Sequence, residues 1–194
     1  MLYKIIFISM CLLVATILNA QPVEKPKENK CSCSFTSINQ VGFLAGEGDD
    51  SYQFQTVNGL QYKTWTAGAG IGIDGYRYRS IPVFLQLRKE FPVSGNAFFI
   101  YNDIGLNYPW VKDSQKSAYY GASNYSHGVY YDGGVGYRWR IKKQSLLFSS
   151  GFTLKKMKED RSLGTCPFVG PCFEYKDVYQ YSLKRLSFKL GFQL

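Results

Sequence analysis

The sequence predicts an all-β chain, folded as an eight-stranded antiparallel up-and-down β-barrel that crosses a membrane. Three observations lead there. Segments of about ten residues alternate apolar and polar positions with a period of two, as strands do and helices do not. The last of them, Tyr181 to Leu194, sets Leu186, Phe188, Leu190, Phe192 and Leu194 against Arg185, Ser187, Lys189, Gly191 and Gln193. A strand like this left as an edge invites aggregation, and pairing it with the first strand of a barrel removes the edge. The third observation is that connections after strands two, four and six are short, while those after five and seven are long, the parity expected of an outer-membrane barrel.

Residues 1–20 read as a signal peptide. Lys4 supplies the positive start, Ile5 to Leu18 is an apolar run, and Leu18-Asn19-Ala20 offers a small residue for cleavage near Ala20. The run is shorter than the roughly 20 residues of a transmembrane helix. Residues 21–35 are expected to form a mobile periplasmic tail, with the barrel at 36–194. The first strand is placed at Ile38–Gly46 and the second at Tyr52–Tyr62, where Asn58-Gly59 reads as a bulge or kink in preference to a hairpin turn. Trp65–Ile73, Ile81–Phe91 and Ala97–Trp110 follow, each alternating. Val111–His127 reads as a long polar loop. Gly128–Ile141 and Ser145–Lys155 are the next strands, Lys156–Gln180 is the longest connection, and Tyr181–Leu194 closes the set.

Alternation alone does not say which face meets lipid. Three features do. The apolar faces extend over about five alternate positions, enough for a tilted strand to cross a bilayer. The charged face also carries glycines 68, 70, 72, 105, 134, 136, 151 and 191, which weaken an exposed strand but make room for Arg and Lys in a narrow lumen. Aromatics gather at strand ends: Trp65, Tyr137 and Trp139 at one, Tyr76, Tyr78, Tyr108 and Trp110 at the other, as interfacial girdles do. The charges then face inward, and Arg88, Glu90, Asp103, Asp132 and Arg138 are expected to pair there as a structural network that fills the lumen.

With its signal peptide, eight alternating strands and closing segment RLSFKLGFQL, the chain resembles the small outer-membrane barrels of the OmpA/OmpX type, including the related families of Bacteroidota, over residues 36–194. The resemblance implies an outer-membrane location in a Gram-negative cell, contact with outer-membrane lipid and lipopolysaccharide, and recognition of the last strand by the barrel-assembly machinery. That strand usually ends in Phe; Leu194 stands there instead.

Motifs with chemical potential resolve into ordinary strand features. Gly70-Ile71-Gly72-Ile73-Asp74-Gly75 matches a dinucleotide fingerprint, but no helix follows it. The 23 Lys and Arg against 14 Asp and Glu leave a charge of +9, scattered along the chain, so no nucleic-acid tract exists. Four cysteines follow the signal peptide and permit three connectivities. With the tail inside and the loop outside, a bridge between them would cross the membrane, which leaves Cys166–Cys172 as the candidate disulfide. Cys31 and Cys33 are too close for relaxed geometry and stay free or pair with another molecule. No metal or cofactor site is expected from these spacings.

The expected function is structural or surface-interactive, through Val111–His127 and Lys156–Gln180, without catalysis. Two alternatives belong to other classes. A lipid-modifying enzyme would use Ser126, His127 and Asp132, although neighbours on a strand point opposite ways. A soluble periplasmic barrel binding a small apolar ligand would turn the apolar face inward.

Overall fold

A computed structural model describes residues 33–46, 50–75, 78–111, 117–118, 121–142, 144–165 and 173–194. The expected signal peptide and most of the tail, and Cys31, Cys166 and Cys172, lie outside the described residues. Every element is a strand: β1 Cys33–Gly46, β2 Ser51–Tyr62, β3 Trp65–Gly75, β4 Arg79–Val93, β5 Asn96–Pro109, β6 Ser117–Ala118, β7 Gly121–Ser126, β8 Gly128–Ile141, β9 Gln144–Thr165 and β10 Phe173–Gln193.

Eight of these form a closed antiparallel ring in the order β1-β2-β3-β4-β5-β8-β9-β10. β10 returns to β1 with Ile38 opposite Gln193 and Gly46 opposite Arg185. The seam ends where the Leu194 amide donates to the Ser37 carbonyl at 2.9 Å and the Ser37 amide to the Leu194 carbonyl at 3.3 Å. The shortest ring strand has 11 residues, against the roughly 9–11 that a tilted strand needs to cross a bilayer.

The period-two pattern sorts side chains as the sequence indicates. Val41, Phe54, Ile71, Leu85 (69 % exposed), Ile104 (61 %), Val135, Phe148 and Phe188 stand on the outside. Gln40, Gln53, Gln86, Arg88, Asp103, Asp132, Lys155 and Lys189 are buried inside. The inward apolar face that a soluble ligand-binding barrel requires is therefore not the arrangement found.

Two-residue turns close one end of the ring at 63–64 and 94–95, and at the same end Ile141 pairs with Gln144. Ser94 (φ 47°) and Gly95 (φ 84°) are both left-handed. That is the type I′ geometry whose twist matches a hairpin.

Several expectations need correction. β1 begins at Cys33, so the last part of the expected tail is strand. β2 runs through Asn58-Gly59 in unbroken one-to-one register with β1 and β3, so neither a turn nor a bulge occurs there. The glycines expected to make room for Arg and Lys do not do so: a Cβ on Gly68, Gly72, Gly105 or Gly134 would first meet backbone of the neighbouring strand, and on three others a ring. A Cβ on Gly70 would lie 2.5 Å from the Phe84 ring, on Gly136 2.3 Å from Phe99, and on Gly151 2.3 Å from the Tyr101 hydroxyl. Those rings join Ile38, Val57, Tyr130 and Leu147 in an apolar cluster inside the barrel.

The two expected loops are largely strand. β9 continues to Thr165 and β10 starts at Phe173, and the two stay paired throughout. β7, with the short β6 beside it, lies along β9 from Gly121 opposite Leu163 to Ser126 opposite Lys158. A sheet in the order β10-β9-β7-β6 thus projects beyond the ring.

The joint between this sheet and the ring is a bulge. Ser126 faces Lys158 and Tyr130 faces Lys155, so four steps on one side match three on the other. The extra residue reverses side-chain parity: Ser123 is buried in β7, whereas Tyr130 and Asp132 are buried in β8. Gly128 makes the joint possible, because a Cβ there would sit 1.7 Å from the Lys156 carbonyl oxygen.

Candidate functional site

Two groups of polar side chains are candidates: the lumen network and the inner face of the projecting sheet. In the lumen, β8 and β10 bring Asp132 and Lys189 together at 2.8 Å. Asp132 also accepts hydrogen bonds from Tyr101 (3.1 Å), Ser187 (3.2 Å) and Tyr130 (3.4 Å). The Lys189 ammonium reaches Asp103 at 3.8 Å and lies 4.3 Å from the centre of the Tyr101 ring. Gln86 donates to Asp103 at 2.9 Å. Nearer the short turns, Arg138 pairs with Glu90 at 3.0 Å.

Of the five residues expected to form the network, the structure pairs Arg138 with Glu90 directly. It joins Asp103 and Asp132 through Lys189. Arg88 is the exception: its Nε and Nη1 make no hydrogen bond, and its guanidinium lies over the Phe99 ring at 4.3 Å. Lys189 stands on the charged face of the closing strand, but its pairing depends on the register across β10, β9 and β8, which periodicity does not reveal.

A third lumen cluster joins Lys155, Asp74 and Ser80. Lys155 pairs with Asp74 and donates to Ser80 at 3.0 Å, and Ser80 donates to Asp74. Serine beside lysine can be nucleophilic. Here both are buried and the lysine faces a carboxylate, so the arrangement suits a structural role.

Ser126, His127 and Asp132 are not brought together. Asp132 is 0 % exposed and occupied by its lumen partners. His127 is exposed at the bulge, with its ring 6.0 Å from Tyr108. The bulge also removes the strict opposition of neighbouring side chains expected at Ser126 and His127.

The projecting sheet buries a carboxylate that sequence reasoning missed. Glu159 on β9 pairs with Arg161 at 2.9 Å and accepts hydrogen bonds from Tyr181 at 2.9 Å and Tyr125 at 3.4 Å. Burial pushes the Glu159 carboxyl up, but bonds from Arg161, Tyr181 and Ser123 outweigh it and hold the group below its ordinary value. Burial raises the Tyr125 hydroxyl, and Tyr78 adds to the effect. Tyr78 packs on Tyr125 at 4.8 Å, so its ring belongs to this cluster rather than to an outer girdle. Trp65, Trp139, Tyr108 and Trp110 remain exposed on the outside.

The outer edge of β10 changes character along its length. From Arg185 onward it pairs with β1. From Phe173 to Lys184 it pairs with β9 on one side, and no ladder occupies its other side among the described residues. Tyr175 (66 % exposed) and Val178 project from this stretch.

Cys33 is disulfide-bonded, so of the two expectations for it, a free thiol or a pairing with another molecule, the free thiol does not hold. Its partner lies outside the described residues. A Cys166–Cys172 bridge is not shown. Among the described residues no group of three His, Cys, Asp or Glu side chains could hold a metal ion. No family model matches this chain, and no curated protein matches it.

Proposed function

We propose that this protein is a small OmpA/OmpX-like outer-membrane barrel with a structural or surface-interaction role. The ring is an anchor and the projecting sheet is what the cell displays. One observation carries the reading: large apolar side chains cover the outside of a closed ring whose inside holds ion pairs. Apolar surface of that extent is a liability in water and the expected exterior in lipid. A closed ring also pairs nearly all of its backbone, as lipid-exposed strands require; the β3–β4 ladder lapses only between Ile71–Val83 and Asp74–Ser80, beside Pro82.

In this reading the short turns face the periplasm and the sheet β10-β9-β7-β6 faces outward. Its open β10 edge, flanked by Tyr175, Val178 and Tyr179, offers backbone groups and aromatic surface to a partner strand. Catalysis has no part in it. The closing strand would engage the barrel-assembly machinery, and a Cys166–Cys172 bridge would staple the β9–β10 connection.

The test is fractionation of Gram-negative cells followed by gel mobility with and without boiling. The protein should enter the outer membrane and migrate differently when boiled. Cells carrying a version with β6 and β7 removed and β9–β10 shortened should keep that shift and lose surface binding. Recovery in the soluble periplasm, or unchanged surface binding by the shortened form, would contradict the proposal.

A further inference from the structure

On β9 and β10 the outer face changes abruptly. Phe152, Leu154, Leu186 and Phe188 belong to the apolar exterior. The next outward positions are Lys156 and Lys158 on β9 and Lys184 on β10, all exposed. Register makes them neighbours. Lys184 lies opposite Leu154, Lys156 opposite Ser182 and Lys158 opposite Gln180. Lys156 therefore lies diagonal to Lys184 across the ladder and two residues from Lys158 along β9, about 7 Å from each.

The wider surroundings leave two of the three lysines uncompensated. Lys158 pairs with Asp160 at 3.2 Å. Lys156 and Lys184 have no ion-pair partner among the described residues. Like charges so placed on one face repel, and an anion between them would relieve the repulsion. At the corresponding rim β2 and β5 carry the uncharged aromatics Tyr52 and Tyr108, and Arg79 of β4 lies over Trp110 at 4.6 Å. The lysines also do not crown a loop. They project sideways from a wall of sheet that continues upward for several residues, directly above exposed Leu and Phe side chains.

We propose that Lys156, Lys158 and Lys184 form a binding site for a phosphate of the outer-leaflet glycolipid, a phosphorylated and multiply acylated sugar of the lipid A class. The phosphate sits among the ammonium groups, and the acyl chains lie down the apolar face below, over Leu154, Phe152, Leu186 and Phe188. Ser182 and Gln180, between the lysines on β10, supply neutral hydrogen-bonding groups. Lipid A is the occupant favoured because it joins anion and chains in one molecule on the side where the sheet projects. This inference rests on the membrane orientation proposed above.

The experiment is native mass spectrometry of the full chain, released from detergent micelles after titration with diphosphorylated lipid A, with its dephosphorylated form and, separately, with phosphatidylglycerol. Wild type should retain one diphosphorylated lipid A in preference to the other two. K156Q/K184Q should lower its affinity about thirty-fold, from roughly fivefold per lysine near an anionic surface. D160N, which frees Lys158, should raise it. Equal retention of the dephosphorylated form, equal retention of phosphatidylglycerol, or no change in K156Q/K184Q would overturn the site. The boiling-dependent gel shift of each variant separates this result from failure of the barrel reading, since all three proteins should still show it.

Discussion

β9 and β10 belong to two regions that meet different solvents. Below Leu154 and Arg185 they are staves of a closed ring: both sides are paired, the outward positions are Leu and Phe apart from Ser150, and the inward ones are small or polar apart from Leu147, with Lys189 ion-paired to Asp132. Above, the same two strands form a wall with an open edge, outward lysines and a buried carboxylate held by tyrosines. Backbone conformation does not change between them. What changes is closure and the chemistry of alternate positions. The ring satisfies its backbone by pairing strand to strand, so its outer face can be mostly apolar, broken by Asn39, Asn58, Asn102 and Ser150. The wall leaves one edge unpaired and needs a polar surface, which fits water on that side.

If the two regions are separate stability units, variants should split between them. The largest effect should come from K189M, which leaves Asp103 and Asp132 together inside the barrel without their shared cation. Removing one partner of a buried charge pair costs about 3–5 kcal/mol. Urea titration of the unboiled gel species should show the midpoint falling by a corresponding amount. G128A should strike the joint. A methyl group 1.7 Å from the Lys156 carbonyl must push β8 off β9, at about 1–3 kcal/mol. Amide exchange should then rise on both sides of the bulge.

E159Q should act on the wall alone, loosening it by about 1–2 kcal/mol while the urea midpoint of the ring stays put. The pH dependence follows from the same carboxyl. Its value is lower folded than unfolded. The stabilisation is whole above the ordinary Glu value of about 4.3 and fades as pH falls below it through the folded value. Proteolysis within 156–184 should therefore begin only in acid for wild type, and E159Q should lose that dependence. The smallest effect on stability, within about 0.5 kcal/mol, is expected for Y175K/V178K at the open edge. These charges should still abolish strand-on-strand binding of a partner, so a binding assay and a melting curve should diverge.

How much was legible follows from the same division. In the ring, apolar residues recur every second position, so Ile81–Phe91 or Ser145–Lys155 can be read as strands with the correct face outward. In the wall neither face is a run of apolar residues: Met157 shares its face with Glu159 and Arg161, and Lys156, Lys158 and Asp160 hold the other. Hydrophobic periodicity is blind there, and the stretch reads as loop. The Tyr and Val content of 175–181 was the available clue, since such residues favour strands. In the lumen, parity identified which charges face inward. Which charge meets which is set by inter-strand register, and so Lys189, the cation between two carboxylates, was passed over. Arg88 differs for another reason. Phe99 and Tyr101 fill the barrel beside it, and a ring takes the place that an ion pair was expected to occupy.

Everything above depends on which face of the ring meets lipid. The direct measurement is a cysteine scan of β4, from Val83 to Arg88, in an otherwise cysteine-free chain folded in bilayers. Each site carries a small fluorophore, and quenchers are attached to the acyl chains. An outward apolar face predicts strong quenching at positions 83, 85 and 87 and little at 84, 86 and 88. Strong quenching at the even positions, or none at any of the six, would contradict it.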